Sequence, residues 1–493
     1  MSIWRIKPVS AFETDMKKSD LKRVLTKWGL TSLGIGAIIG GGIFTLTGIA
    51  AHDYAGPALA LSFVIAGIGC LFASLCYAEF ASVLPVEGSA YAYAYGTVGE
   101  LFAWFIGWNL ILEYMMGATT VAVAWSGYFC KLLHLFHIDI PIWLSNDFKT
   151  TTEKSLEAGI AAPSFAFNLP AFLITWVVTA ILIKGIKEAA KTNNVIVIIK
   201  IAVVLFVIFV GAFYINTENW KPFIPSEIPE IGKDGLATGK LNFGFGGVLT
   251  AATIVFFAYI GFDAVSTQAG EAINPKKDVP FAIIASLVIC TILYILVSLV
   301  LTGMVKYDQL DKAAPVASAF SAIGLNWAVF IITLAATAGL TSVMLVMMLG
   351  QTRIFLGMAK DGLLPRGLFG TLHEKFKTPY KSTFLVGLIV SVVAALTPIN
   401  KVSEMCSMGT LLAFAMVCVA VMILRFKKPE LERPYKTPAL YLVGSLGVAF
   451  NIFLMCFVRK ETWFAFLIWG VLGIAVYFLY SKRNSNLETG KKD

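Results

Sequence analysis

The chain has 493 residues, 58% of them hydrophobic and 14% charged, with a formal net charge of +9. Soluble proteins average about 25% charged residues, so this composition excludes an ordinary soluble domain and implies a polytopic membrane protein. The excess basic residues sit in connections between apolar runs, which marks topology and argues against a nucleic-acid surface.

Residues 1–28 are charged and amphipathic, with Lys17, Lys18, Lys22, Arg23 and Lys27, and read as a cytoplasmic segment with no cleavable signal peptide. Apolar spans follow at about 29–50, 58–83, 98–130, 168–184, 192–215, 246–270, 282–304, 327–350, 383–398, 405–424, 438–457 and 462–480, each near the ~20 residues needed to cross a bilayer. The expected class is an all-α polytopic protein of 12 transmembrane helices. Residues 29–215 form a first repeat and 246–424 a second. Two extra helices lie within 438–480, and 481–493 is a tail. An even span number puts both termini on one side. Lys184, Lys187 and Lys191, Lys276 and Lys277, Arg353 to Lys381, Arg425 to Lys436 and Lys482 to Lys492 enrich that side in basic residues. The positive-inside rule then makes both termini cytoplasmic. The seven cysteines show no Cys-x-x-Cys spacing, so neither a disulfide framework nor a metal site is expected.

Span one contains Gly34-Ile-Gly-Ala-Ile-Ile-Gly40-Gly41-Gly42-Ile43-Phe44, in which five of eleven residues are glycine. Two readings stand at this point. Small residues let helices pack closely. Alternatively, the helix unwinds at Gly40–Gly42, which lipid tolerates only where the broken backbone lines a protected cavity. Span six has its own mid-span glycine followed by an acid, in Phe256-Phe257-Ala-Tyr-Ile260-Gly261-Phe-Asp263. Spans one and six each open a block of five, and interrupted segments in matching places point to an inverted repeat with a site between the breaks. Two connections read as ordered: Leu84–Tyr95, rich in small and aromatic residues, and Leu310–Ile323, an amphipathic helix able to lie over the pore.

Ionisable residues inside spans are functional hypotheses by default. Glu113, midway along span three, is either a structural carboxylate or a group that handles substrate or protons. Glu79 lies near the inner end of span two. Asp263 and Glu271 follow the second break, where Asp263 anchors a gate or a helix end. Lys184, Lys187 and Lys191 share one helix face. The deepest, Lys191, either snorkels or carries a proton. All four histidines fall at span ends or in loops, so a histidine relay is not expected. Phe44 and Phe256 are among the aromatics expected to close over a substrate.

Together, Gly34–Gly48, Phe257–Pro275, Gly185–Asn194 and Met358–Pro365 resemble the amino acid–polyamine–organocation superfamily, and in particular bacterial relatives of the cationic amino acid transporters. The resemblance covers nearly the whole chain. It implies a five-plus-five inverted repeat with helices one and six broken, and transport of L-amino acids, small neutral such as alanine or cationic such as arginine, by alternating access. By position, the family's carboxylate-binding amides fall on Gly41, Gly42 and Ile43, and its ammonium-binding carbonyls on Ile38, Phe257 and Ile260. Lys191 matches the lysine of proton-coupled members, placed where sodium-coupled relatives hold an ion between helices one and eight. Thr341 and Ser342 keep sodium open as the coupling ion, and exchange is a further alternative.

Met344 and Met347 are expected on the span-eight wall of the side-chain pocket, and flexible methionines suit small neutral substrates. Glu113 would serve a cationic one. Ser321, in the outer loop helix, leaves room for a longer side chain. No organic cofactor, nucleic acid or enzyme activity is expected, and the partners are the amino acid and the lipid bilayer of the cell membrane. An auxiliary subunit is left open. An ion channel would want charged rings or a selectivity loop, and a membrane enzyme would want clustered His, Asp or Cys; neither pattern occurs.

Overall fold

The computed structural model describes residues 5–8, 25–83, 89–161, 163–185, 189–231 and 237–489. Lipid offers a peptide group no hydrogen bonds, so long apolar runs satisfy their backbone as helices. The bundle is built from α1 (Lys27–Ile38), α2 (Leu59–Val83), α3 (Ser89–Tyr95), α4 (Glu100–His134), α5 (Leu169–Lys184), α6 (Ala189–Ala212) and α7 (Gly244–Val255). It continues with α8 (Pro275–Met304), α9 (Pro315–Ala322), α10 (Asn326–Lys360), α11 (Tyr380–Leu396), α12 (Ile399–Lys427), α13 (Leu440–Met455) and α14 (Lys460–Val476). Eight helical stretches among the described residues are long and apolar enough to cross a membrane, and α5, α11 and α13 are shorter apolar helices. A short hairpin between α6 and α7, β1 (Ile228–Ile231) antiparallel to β2 (Ala237–Asn242), pairs Ile228 with Asn242 and Ile231 with Ala237.

Local chemistry sets several helix ends. Thr26 Oγ1 accepts the Gly29 amide at the start of α1, and Asn168 Oδ1 accepts the Ala171 amide at the start of α5. Each side chain satisfies an amide that has no intrahelical acceptor. Leu173, Phe209, Leu334, Phe464 and Leu479 are exposed on the outer helix faces. So much exposed apolar surface marks a lipid-facing bundle. Inside, α4 packs along α10, and α2 packs along α8.

Both ends of the described chain meet at one end of the bundle. The buried Glu100 carboxylate pairs with Arg5 at 2.9 Å and accepts hydrogen bonds from Tyr477 at 3.1 Å and Ser485 at 2.5 Å. Beside it, Asp361 pairs with Lys7 at 3.0 Å and accepts from Tyr91 at 2.8 Å. The connection read as ordered, Leu84–Tyr95, supplies α3 to this cluster, while its residues 84–88 lie outside the described residues. So do Lys17, Lys18, Lys22, Arg23, Lys187, Lys491 and Lys492 from the topology argument.

A second buried acid ties α2 to α12. Glu79 takes the Arg425 guanidinium through two nitrogens, the Arg433 guanidinium at 3.4 Å and the Thr437 amide at 2.8 Å. Removing one partner of a buried ion pair leaves uncompensated charge and costs about 3–5 kcal/mol. Glu79→Gln should therefore lower the apparent melting temperature of the purified protein far more than Glu153→Gln, whose partner Lys149 is at the surface. Equal melting temperatures for the two variants would show that the Glu79 cluster is dispensable.

Candidate substrate site at two helix breaks

Helix α1 stops at Ile38. Ile39 is extended at φ −70°, ψ 100°, and the chain resumes as a wide helical turn over Gly42–Leu46. In the second break, α7 tightens over Phe256–Tyr259, Ile260 is extended, and Gly261 takes φ +122° before a tight helical run over Asp263–Glu271. A side chain at Gly261 would be strained at that φ.

The breaks cross in contact. A Cβ on Gly42 would lie 2.3 Å from Ala258 Cα, and one on Gly261 would lie 2.9 Å from the Ala37 carbonyl oxygen. Of the two readings of the glycine run, close packing and unwinding, the structure contains both.

Long side chains from neighbouring helices take the exposed carbonyls. Tyr294 of α8 places its hydroxyl 2.8 Å from Ile38 O and 3.0 Å from Ala258 O, so it spans the two breaks. Tyr128 of α4 donates to Phe44 O at 2.5 Å, and from the second break itself Tyr259 donates outward to Phe63 O of α2 at 2.7 Å. Lys200 of α6, fully buried in an apolar helix, donates to Gly36 O at 2.8 Å. Its stem runs past Gly339 of α10, where a Cβ would stand 3.0 Å from Lys200 Cε. Lys200 thus wedges between spans one and eight. An interhelical hydrogen bond in a membrane protein averages about 0.6 kcal/mol, whereas an unsatisfied buried polar group costs about 1–3 kcal/mol. These side chains therefore matter mainly by preventing orphaned carbonyls.

The first amides of a restarted helix have no intrahelical acceptor. Here those residues are Gly41, Gly42 and Ile43. Together with the positive end of the helix dipole, they suit a carboxylate. The Ile38 and Phe257 carbonyls already accept one bond each, from Tyr294 and from the Ile260 amide at 3.2 Å. A carbonyl oxygen has a second lone pair for an ammonium. Around Gly40 and Gly41 stand Ala124, Phe257, Leu340 and Val343, all apolar. Phe44 meets Tyr128 edge-on, and Phe256 packs against Phe414.

The remaining expected residues lie elsewhere. Met347 faces Gly117, where a Cβ would be 3.5 Å from its sulfur, and Met344 is buried on the same helix. At the level of the breaks, Leu340 and Val343 form the α10 wall. Helix α9 meets span one through Pro315 at Gly48, with Ser321 half-buried at its far end. Thr341 Oγ1 is engaged by Trp125 at 2.9 Å and by Thr337 O. Glu113 is eleven residues from Ala124 along α4, about 16 Å of helix. Asp263 accepts from Tyr114, the residue after Glu113, at 3.4 Å, away from the amides of the restarted helix. The side chains of Lys191 and Glu271 lie outside the described residues. Lys200 was passed over in the sequence, although a lone lysine in Val195–Ala212 carried the signal of an intramembrane charge. Tyr128 and Tyr294 carried none, because aromatic residues are common throughout.

Residues 25–477 match the amino acid permease family model. The chain is 44% identical to the branched-chain amino acid permease of Bacillus subtilis over 95% of each chain. It is 42% identical to the methylthioribose transporter of Bacillus subtilis over 99% of each. It is 37% identical to the vacuolar cationic amino acid transporter 2 of Arabidopsis thaliana, over 88% of this chain and 64% of that protein. The chain belongs to the amino acid permease family of the superfamily it resembles. It is a multi-pass membrane transporter and not an enzyme.

The geometry separates the two glycines. Gly41 has room, with its nearest neighbour, Ala124 Cβ, 3.4 Å from a built Cβ. Gly41→Val should fold and lose substrate-induced thermal stabilisation. Gly42→Val meets the Ala258 backbone and should also lower the melting temperature of the ligand-free protein. Undiminished substrate stabilisation in Gly41→Val would show that the break serves packing alone.

Proposed function

We propose that this amino acid permease is a twelve-span secondary carrier built from a five-plus-five inverted repeat and two further helices. In this reading it stands in the cell membrane with both termini cytoplasmic and symports L-amino acids with protons by alternating access. The crossing of two interrupted helices, with Gly42 against Ala258 and the restarted helix amides beside them, is the observation that carries the reading. Each interruption falls in the first span of its block, as an inverted repeat requires.

The apolar surroundings of Gly40 and Gly41 favour a neutral apolar side chain, a branched or small aliphatic one. The name of the branched-chain relative agrees. The cationic relatives make arginine the competing substrate class, and methylthioribose belongs in any competition panel.

Lys200 supports proton coupling better than Lys191 does. Its ammonium holds Gly36 O, two residues before the end of α1, and keeping a charge there is costly. Loss of its proton removes a tie between span five and the unwound end of span one. A proton that binds inward- and outward-open forms with different affinity can drive transport.

In proteoliposomes under an inward proton gradient without sodium, the protein should accumulate leucine or alanine saturably. Lys200→Ala should reduce this to the passive level while retaining substrate-induced thermal stabilisation. An absolute sodium requirement would overturn the coupling ion, and non-saturating flux would favour a channel. If Lys191→Ala uncouples and Lys200→Ala does not, the coupling lysine is Lys191.

A further inference from the structure

At the end of the bundle that holds both chain termini, α12 and α13 flank an open cavity of about 490 Å³. Its walls are Met422, Ile423, Phe426 and Lys427 of α12, Tyr441 of α13 and Val98 of the turn before α4. The connection between the two helices leaves it uncovered for a local reason. Arg433 donates to the carbonyls of Lys428, Pro429 and Leu431 and pairs with Glu79, and the Thr437 side chain donates to Leu75 O. Residues 428–439 are thereby drawn inward onto α2. The two helices touch where Gly444 meets Met422, and a Cβ on Gly444 would stand 2.9 Å from the methionine sulfur. One turn nearer their ends, Phe426 is 79% and Tyr441 55% exposed.

A hollow with apolar walls gives water no hydrogen-bond partners, whereas it accepts a hydrocarbon chain. Met422 is flexible and adapts to such a chain, and the volume lies within the range of about 300–1,000 Å³ that suits a bound small molecule. The charge at the rim selects the headgroup. Among the described residues, the ion pairs of this segment are those of Arg425 and Arg433 with Glu79 and of Glu432 with Lys276 at 3.6 Å. Lys427, Lys428 and Lys436 form none, and Glu430 is the remaining acid of residues 425–439. Three lysines against one acid leave a net positive rim, of which the negative end of the α12 dipole offsets about half a charge. Snorkelling accounts for the position of Lys427 but not for the apolar cavity beside it. Basic pockets between helices at a membrane surface bind anionic headgroups, and Tyr441 has the amphipathic ring that sits at headgroup level.

We propose that this groove binds one acidic glycerophospholipid, with its phosphate on Lys427 in the field of Lys428 and Lys436 and an acyl chain along Met422, Ile423 and Tyr441. The leaflet in which it sits rests on the topology of the proposed function, but its binding does not. Val98 joins the groove to the N-terminal segment. Two residues on, the Glu100 amide donates to Arg5 O at 2.8 Å, and the Lys7 amide donates to Tyr95 O at 2.9 Å. A lipid seated there bridges α12, α13 and the turn that carries this segment. It therefore binds the native form and raises its stability.

The test is a thermal-shift titration of the purified, delipidated full-length protein in a neutral detergent with dioctanoyl phosphatidylglycerol, dioctanoyl phosphatidylcholine and glycerol 3-phosphate. Phosphatidylglycerol should raise the melting temperature saturably, with an apparent affinity about fivefold or more above that of phosphatidylcholine, equivalent to about 1 kcal/mol for one lysine at the headgroup. Glycerol 3-phosphate has no chains and should give no shift. Lys427→Glu should abolish the preference for phosphatidylglycerol, and Phe426→Ala should weaken both lipids. Both positions are exposed, so both variants should fold. Lys401→Glu, at the opposite end of α12, should change nothing. Equal affinity for the two lipids, or a preference untouched by Lys427→Glu, overturns the proposal and leaves an unselective lipid-facing surface. A shift with glycerol 3-phosphate would make this a soluble-phosphate site. A concentration-dependent dimer abolished by Phe426→Ala, with no lipid preference, would give the face to a second copy. Either result overturns the proposal as well. Absent amino acid uptake with a retained lipid preference would fault the transport reading alone.

Discussion

A peptide group inside a bilayer cannot borrow a hydrogen bond from its solvent, and every part of this structure near the middle of span one answers to that constraint. Breaking α1 after Ile38 and the second helix around Ile260 releases carbonyls and amides together. The two kinds of group meet different fates. Carbonyls at Gly36, Ile38, Phe44 and Ala258 are taken by Lys200, Tyr294 and Tyr128. The amides at the head of the restarted helix are left with the sign and direction that an anion needs. This asymmetry has the polarity that the proposed zwitterion site needs, without any charged side chain at its centre.

Each tie comes from a different helix, Tyr294 from α8, Tyr128 from α4 and Lys200 from α6, so rearranging any one helix against span one changes a specific hydrogen bond. Lys200 is singular among them because a single proton changes its hydrogen-bonding capacity. Its stem is clamped between Val197, which meets Gly36, and Gly339. Movement of span one relative to span eight is therefore felt at the same residue that holds the charge. At the far end, Arg5 and Lys7 join Glu100 and Asp361, which ties the N-terminal segment to that end of the bundle.

The helical class, the two breaks and the short helix Pro315–Ala322 were readable because each has a local cause: long apolar runs, glycine at Gly42 and Gly261, and an amphipathic stretch around Pro315. Matching positions of the breaks point to a site between them. Tertiary choices were not readable. Leu340, Val343, Met344 and Met347 lie on overlapping faces of one helix, and depth alone decides that the first two flank the break. Lys191 stands out in the sequence as the deepest of three lysines on one helix face and by its match to proton-coupled members, and its side chain lies outside the described residues; Lys200, nine residues on among valines and isoleucines, reaches span one. An isolated charge in an apolar run is costly and hence informative, which is the signal Lys200 carries. Grouping Glu113 with the substrate pocket missed the length of α4, which carries it toward Asp263.

The account stands most directly on where the substrate carboxylate binds. A high-resolution cryo-electron-microscopy structure of the protein with leucine, or with whichever amino acid it transports best, measures this. The carboxylate density should lie within hydrogen-bond distance of the Gly41, Gly42 or Ile43 amides, with the ammonium facing the Ile38 or Phe257–Ile260 carbonyls. Substrate density centred elsewhere in the bundle, with those amides bonded only to protein, would contradict it.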